Sequence, residues 1–188
     1  VRQHISIVNQ RTAEKNRVHA LLLRYRVKAP ENVFGKKRNW LDDEVPCEVR
    51  PVLEQCLKHI DYLNKVKYQV DKQIEQKASK NPDAVILFSM PGVSYFSALL
   101  VVSFIDGVER FGSSEQLVSY AGLAPRISQS GEKTILGHIS KQGMREMRWA
   151  LTQCAWVASR QKGKLRKFFM KKKRQIGKKK ALIAVARK

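Results

Sequence analysis

After Glu146 the chain contains no aspartate or glutamate, while fifteen lysines and arginines stand between Arg148 and Lys188. Such a segment cannot neutralise itself. Its cations must face water or a polyanion, so a helix with a narrow apolar seam is the structure that lets it pack. The sequence supplies that seam. Phe168, Phe169 and Met170 interrupt the cationic stretch 162–180, and Leu182, Ile183 and Val185 recur in the closing run KKKALIAVARK. Phe168 and Phe169 are neighbours, so only one can enter a core; the other reading has them stacking bases. Over the whole chain, 37 Lys+Arg face 16 Asp+Glu, a formal charge of +21. Nucleic acid is the partner this balance predicts, held through phosphates and sensitive to salt. Lys171, Lys172, Lys173, Lys178, Lys179 and Lys180 are the expected tail contacts; the plainer reading is a solvated helix face. No long apolar span or secretory signal is present, so no membrane partner is expected.

Three cysteines, Cys47, Cys56 and Cys154, are odd in number and far apart, and with the four histidines they show no metal-ligand spacing. They predict a reduced cytoplasmic protein with ordinary buried thiols and no metal held by this chain. The first residue, Val1, opens inside a helical pattern and Lys188 closes inside another, which predicts a fragment of a larger protein.

The pattern predicts an all-α fold in two parts. Residues 3–28 read as one helix carrying Ile5, Val8, Val18, Leu22 and Leu23, ended by Ala29-Pro30. A loop follows over 30–50. A second long helix from Pro51 to about Ser79 bears Val52, Cys56, Leu63, Val66, Val70 and Ile74 on one stripe. Together these predict an antiparallel hairpin or coiled coil over residues 1–80, with a stripe thin enough to call for a partner chain and hence a homo-oligomer. Asn81-Pro82 marks a boundary, and 81–188 reads as a compact helical domain. Within it, a short helix over 83–90, the turn Pro91-Gly92-Val93-Ser94 and the apolar helix 95–105 resemble a helix-hairpin-helix unit, whose turn would offer backbone N–H groups of Gly92 and Ser94 to a phosphate. The alternative is a plain helical corner. Ser113 with Gln116 predicts a capping box, and Ser140 predicts an N-cap for a helix running to about Ser159.

Between those caps lies YAGLAPRISQSGEKTILGHISKQG, Tyr120–Gly143, neither a clean helix nor a clean strand. It carries Ser130 among Arg126, Lys133 and Lys141, with Arg145 and Arg148 following. A hydroxyl among cations suits a phosphate, as a hydrogen-bond partner or as an attacking group. His138 either packs or touches phosphate.

The ordered run Pro91-Gly92, Phe111, Leu117, Tyr120 through Arg126, Ser130-Gly131, Lys133, Gly137 through Lys141, Arg145, Arg148 and Leu151, then KKKALIAVARK, resembles the C-terminal domain of the IS110/IS1111 family of insertion-sequence transposases, which includes the Piv-type invertases. Residues 85–188 carry the likeness; the NQRTAEKNRVHALL run resembles the family's connecting coiled coil. The resemblance implies a DNA recombinase guided by a structured, element-encoded RNA and acting on the bacterial nucleoid. It places the family's nucleophilic serine on Ser130, which would form a covalent phosphoserine with DNA. It also implies a RuvC-like domain whose four acids bind Mg²⁺. That domain is not in this sequence, so the chain is expected to bind nucleic acid without cleaving it alone. The alternative is a non-catalytic DNA- or RNA-binding module in which Ser130 only contacts phosphate.

Overall fold

A computed structural model of the chain describes residues 1–130 and 133–188, apart from the side chains at 128, 130 and 133–136. Among the described residues the fold is nine α-helices, one short 3-10 turn and a single pair of strands, in keeping with the all-α expectation. The chain divides into two compact units, Val1–Gln73 and Ile74–Lys188.

In the first unit, α1 (Arg2–Arg24) runs antiparallel to α3 (Arg50–Ser79), which continues past the unit boundary. The pairing is explicit in three cross-links: His4 with Asp71 at 3.1 Å, Arg11 with Asn64 at 3.1 Å and Glu14 with His59 at 3.1 Å. α1 stops at Arg24, short of the expected residue 28, where Arg26 takes a left-handed conformation. The loop expected over 30–50 is in part core. α2 (Trp40–Glu44) and the flanking turns send Val33, Trp40, Leu41, Val45 and Val49 in against Val18, Leu22, Leu53, Cys56, Leu57 and Ile60. The stripe on α3 is therefore wider than the sequence suggests and slightly rotated: Val52 is exposed and Leu53 is fully buried. Arg38 pins the connection by a two-pronged bond to Asp61 at 2.9 and 2.8 Å. Cys47 is exposed, correcting the expectation of uniformly buried thiols.

The second unit begins with α4 (Pro82–Phe88). Pro82 stands at its start, where a missing N–H costs nothing, and the Asn81 side chain accepts from Ala84 N–H at 2.9 Å. α5 (Tyr95–Ile105) is apolar on every side and correspondingly buried through Ala98, Leu100, Val101 and Ile105. Its N-terminus is closed by a reciprocal Ser94–Ser97 capping box, with bonds of 3.2 and 2.8 Å. Asp106 ends it in a left-handed conformation. α6 (Ser114–Tyr120) is capped by Ser113, yet the predicted box is only half formed: Gln116 accepts from Gly112 N–H at 2.8 Å rather than from Ser113. The Tyr120 hydroxyl donates to the Phe104 carbonyl at 3.0 Å and ties α6 to the end of α5.

The next segment corrects the sequence reading. β1 (Pro125–Ser130) and β2 (Lys133–Ile139) pair as an antiparallel ribbon. The helix expected from Ser140 starts instead at Arg145, as α7 (Arg145–Ala158). Ser140 and Lys141 are taken by backbone bonds to Ala124 and Gly122, at 2.8 and 3.1 Å, which hold the ribbon's two ends together and delay the helix. The cationic tail is two helices, α8 (Lys164–Ile176) and α9 (Lys178–Arg187), broken at Gly177. Phe169, Ala181 and Val185 pack against Ala155 of α7 while Phe168 stays half-buried, so one phenylalanine enters the core as expected.

Candidate nucleic-acid interface

The ribbon sets the geometry of the site. Ile127 pairs with Leu136, Gln129 with Thr134, and Ser130 with Lys133, the last pair before residues 131–132. Toward the base, Gly137 and His138 together oppose Arg126, an inserted residue of the bulge type that twists the ribbon. Strand alternation puts positions 126, 128 and 130 on one face, with position 133 directly across from 130. The Ser130 hydroxyl, the Lys133 ammonium and residues 131–132, which carry the central sequence expectation, lie outside the described residues.

Positions 126 and 130 are separated by about 13 Å along the strand at ~3.3 Å per residue, so Arg126 does not bracket Ser130 as its sequence neighbourhood suggests. Its guanidinium turns toward the base and donates to the Ser140 carbonyl at 3.4 Å. Arg148, half-buried, donates to the next carbonyl, Lys141, at 3.2 Å. Two expected phosphate contacts thus also brace the strand-to-helix connection. Gly122 and Gly143 make that connection possible. A Cβ on Gly143 would stand 2.2 Å from the Tyr120 carbonyl oxygen, and one on Gly122 would stand 2.8 Å from the Gln142 carbonyl oxygen. Lys141 occupies the left-handed region at φ 56° and is exposed, as are His138 and Arg145.

The turn before α5 reads differently in structure. Gly92 has φ +89°, and a Cβ there would meet the Cys154 carbonyl oxygen at 2.5 Å and the Ala158 nitrogen at 2.9 Å. Its lack of a side chain is thus required by close approach to α7. The Ser94 hydroxyl is engaged in the α5 cap. On the tail, Lys171, Lys173, Lys178, Lys179 and Lys180 are exposed, and Lys172 is half-buried on the seam side of α8.

Charge pairing separates the two units. Every Lys or Arg paired with a carboxylate among the described residues lies within residues 1–73, from Arg17–Glu14 to Lys67–Asp71. In residues 74–188 no described cation has a carboxylate partner within ion-pair distance, and lysines and arginines outnumber the carboxylates there. No three His, Cys, Asp or Glu side chains gather among the described residues, so the Mg²⁺ implied by the resemblance finds no donor set there and no step is assigned to it. No described helix is long and apolar enough to cross a membrane. Trp156, which the sequence pattern does not single out, has the Arg160 guanidinium 4.5 Å and the Lys178 ammonium 4.7 Å from its ring centroid. Its signal was the seven-residue interval from Trp149 with Arg160 one turn further on.

Fold and charge define a helical domain with a projecting β-ribbon and an unneutralised cationic surface, chemistry suited to polyanionic backbones. Residues 84–170 match the model of the family described as Transposase IS116/IS110/IS902, and this region of the chain is of that family. The transposase for insertion sequence element IS1328 of Yersinia enterocolitica is 26% identical over 155 residues, 81% of this chain and 46% of that protein. The transposase for IS1111A of Coxiella burnetii is 32% identical over 148 residues, 73% of this chain and 39% of that protein. The pilin gene-inverting protein of Moraxella bovis is 35% identical over 131 residues, covering 64% and 39% respectively. The chain spans less than half the length of these curated relatives.

Proposed function

We propose that this chain is the serine-bearing, DNA-binding part of an insertion-sequence transposase or site-specific recombinase. Ser130 is the nucleophile. Its oxygen forms a bond to a DNA phosphorus as the bond from that phosphorus to one sugar oxygen breaks. The serine proton passes to a base, and the departing sugar oxygen takes up a proton. One phosphoester replaces another, so the strand can be rejoined without ATP. A serine hydroxyl is a weak nucleophile until a base or metal activates it, and cations must hold the charge that builds on the phosphoryl oxygens. Lys133 stands across the ladder from Ser130 and is the nearest candidate for that holding role; Arg126, Lys141 and Arg145 would engage phosphates further along the strand. The activating group would belong to a separate acid-bearing domain, where Mg²⁺ would supply Lewis-acid chemistry.

The observation that carries this reading is the place of Ser130 in the last pair of a ribbon rising from an acid-poor, cationic body. A side chain carried at the end of such a ribbon can enter a second domain's site while the body holds DNA. The names of the relatives, transposases and pilin gene-inverting proteins, agree with it. We further assign the α8–α9 cations to a second polyanion, a structured guide RNA, residues 1–80 to self-association, and the assembly to the bacterial cytoplasm on the nucleoid.

The test is trapping of a covalent protein–DNA adduct in the longer protein. Ser130→Ala is expected to abolish the adduct and leave DNA affinity within about threefold, the size of one lost neutral hydrogen bond. Recombination that survives Ser130→Ala refutes the assignment. The 188-residue chain alone is expected to bind DNA and not to nick it.

A further inference from the structure

We infer that the outer face of α7 is a binding platform for unpaired nucleotides, with Trp149 stacking a base and Trp156, Arg160 and Lys178 holding the adjoining backbone. This rests on the reading of the chain as a nucleic-acid-binding domain and names the form of nucleic acid that one face takes.

The argument begins with helix geometry. Trp149 and Trp156 are seven residues apart, so they fall on one side of α7 about 10 Å from each other along its axis. Arg145 lies one turn before and Arg160 one turn after, which makes a stripe of alternating aromatic and cationic side chains. Trp149 is 53% exposed and has no ring or cation contact among the described residues. An indole left this open is a large flat apolar surface with nothing stacked on it, on a helix whose opposite side carries buried Met147, Ala150, Ala155 and Ala158.

Trp156 differs from Trp149 in a way that suggests a division of labour. The Arg160 guanidinium and the Lys178 ammonium both stand over its ring, at 4.5 and 4.7 Å. The ring attracts each cation, but the two cations repel one another. Neither has a carboxylate partner among the described residues, and α9 brings Lys178 there from elsewhere in the chain. A phosphate approaching either cation at the rim of the ring would relieve that repulsion and gain a charge-assisted contact. The spacing then matches a strand rather than a single nucleotide: phosphate at Trp156, base face at Trp149.

Paired bases within a duplex already have both faces covered, whereas unpaired bases do not, so this stripe selects single strands. Strand transfer by a recombinase creates such segments. DNA and RNA strands share the chemistry and are separated by the test.

The 188-residue chain is titrated with labelled oligothymidylate, oligouridylate and a short DNA duplex at several salt concentrations, following anisotropy and tryptophan emission. The chain has three tryptophans, and the third, Trp40, is buried in the first unit. Single strands are expected to quench the emission. Trp149→Ala is expected to weaken single-strand binding by roughly 5- to 100-fold, while duplex affinity stays within about twofold. Trp149→Phe should retain most of the single-strand affinity, which guards against a folding artefact. The tighter of the two single strands identifies the source. The inference is overturned if single strands bind without quenching, if Trp149→Ala lowers both forms equally or neither, or if it changes sedimentation with no change in strand affinity, the mark of a protein-covered face. Salt-dependent duplex binding without a single-strand effect removes this inference alone; failure of every nucleic acid to bind removes the proposed function as well.

Discussion

Gly92→Ala decides between two roles for the turn before α5. The sequence motif suggests a backbone that approaches a phosphate, and the fold shows a backbone that approaches α7. An alanine there adopts φ +89°, and its methyl carbon meets the Cys154 carbonyl oxygen at 2.5 Å and the Ala158 nitrogen at 2.9 Å. Both are backbone atoms of α7, so no side-chain rotation relieves the contact, and the turn and helix must separate. The positive φ costs about 1–2 kcal/mol for an L-residue. The overpacked contact adds about 1–3 kcal/mol. A stiffer unfolded chain returns roughly 0.5 kcal/mol. The net loss is about 2–4 kcal/mol. For a cooperative unit the size of Ile74–Lys188 this lowers the melting temperature by about 8–16 °C. Scanning calorimetry or thermal circular dichroism measures it, with DNA affinity determined at a temperature where wild type and variant are both folded. Affinity per folded molecule is expected to stay within about twofold, since nothing on the phosphate-facing surface changes. A melting temperature within about 2 °C of wild type, together with a tenfold loss of DNA affinity, would refute the packing account and restore the phosphate-binding turn.

Two further outcomes test the first unit and the thiols. Burial holds the His4 imidazole below its usual pKa, aided by Lys67, Arg11 and the chain's amino group and opposed by Asp71. The folded state therefore disfavours the protonated ring, so stability is full above pH 6.5, the unfolded value, and falls as pH drops below it. Urea melts between pH 7 and 5 are expected to show that fall, and His4→Gln to flatten it; an unchanged slope in the variant counts against the buried-neutral reading. Burial likewise raises the Cys56 and Cys154 thiols, whereas Cys47 is exposed. Mass spectrometry after brief iodoacetamide treatment should find Cys47 modified first and the other two only on unfolding; early labelling of Cys154 would contradict its half-buried place on α7 beside Ser97 of α5.

The long helices of the first unit and the α4–α5 pair were legible because local signals agree there. Pro51 and Asn81-Pro82 mark starts, Ser94 and Ser113 supply caps, and the apolar run of α5 can only be buried. The ribbon was not legible. In Pro125–Ile139 glycine, serine and charge interrupt the β-branched Ile127, Thr134, Ile135 and Ile139, and Ser140 followed by a helical pattern is a sound local cap. Non-local bonds override it: Ser140 N–H to Ala124, Lys141 N–H to Gly122, and the guanidinium bonds of Arg126 and Arg148 to the same connection. Proximity in sequence also misled. Arg126 is four residues from Ser130, but an extended strand turns that interval into a distance an arginine does not span.

What the sequence by itself determined was the character of the surface and the order of the family's residues. An acid-free stretch stays cationic in any fold, and Ser130 keeps its place between Arg126 and Lys133 whatever the backbone does. Tertiary structure decided which cations work together. It tied Arg126 and Arg148 to the carbonyls of Ser140 and Lys141, committed Gly92 to α7 and carried Lys178 to Trp156. These are contacts between distant segments, set by how the helices pack, and periodicity within any one helix does not encode them.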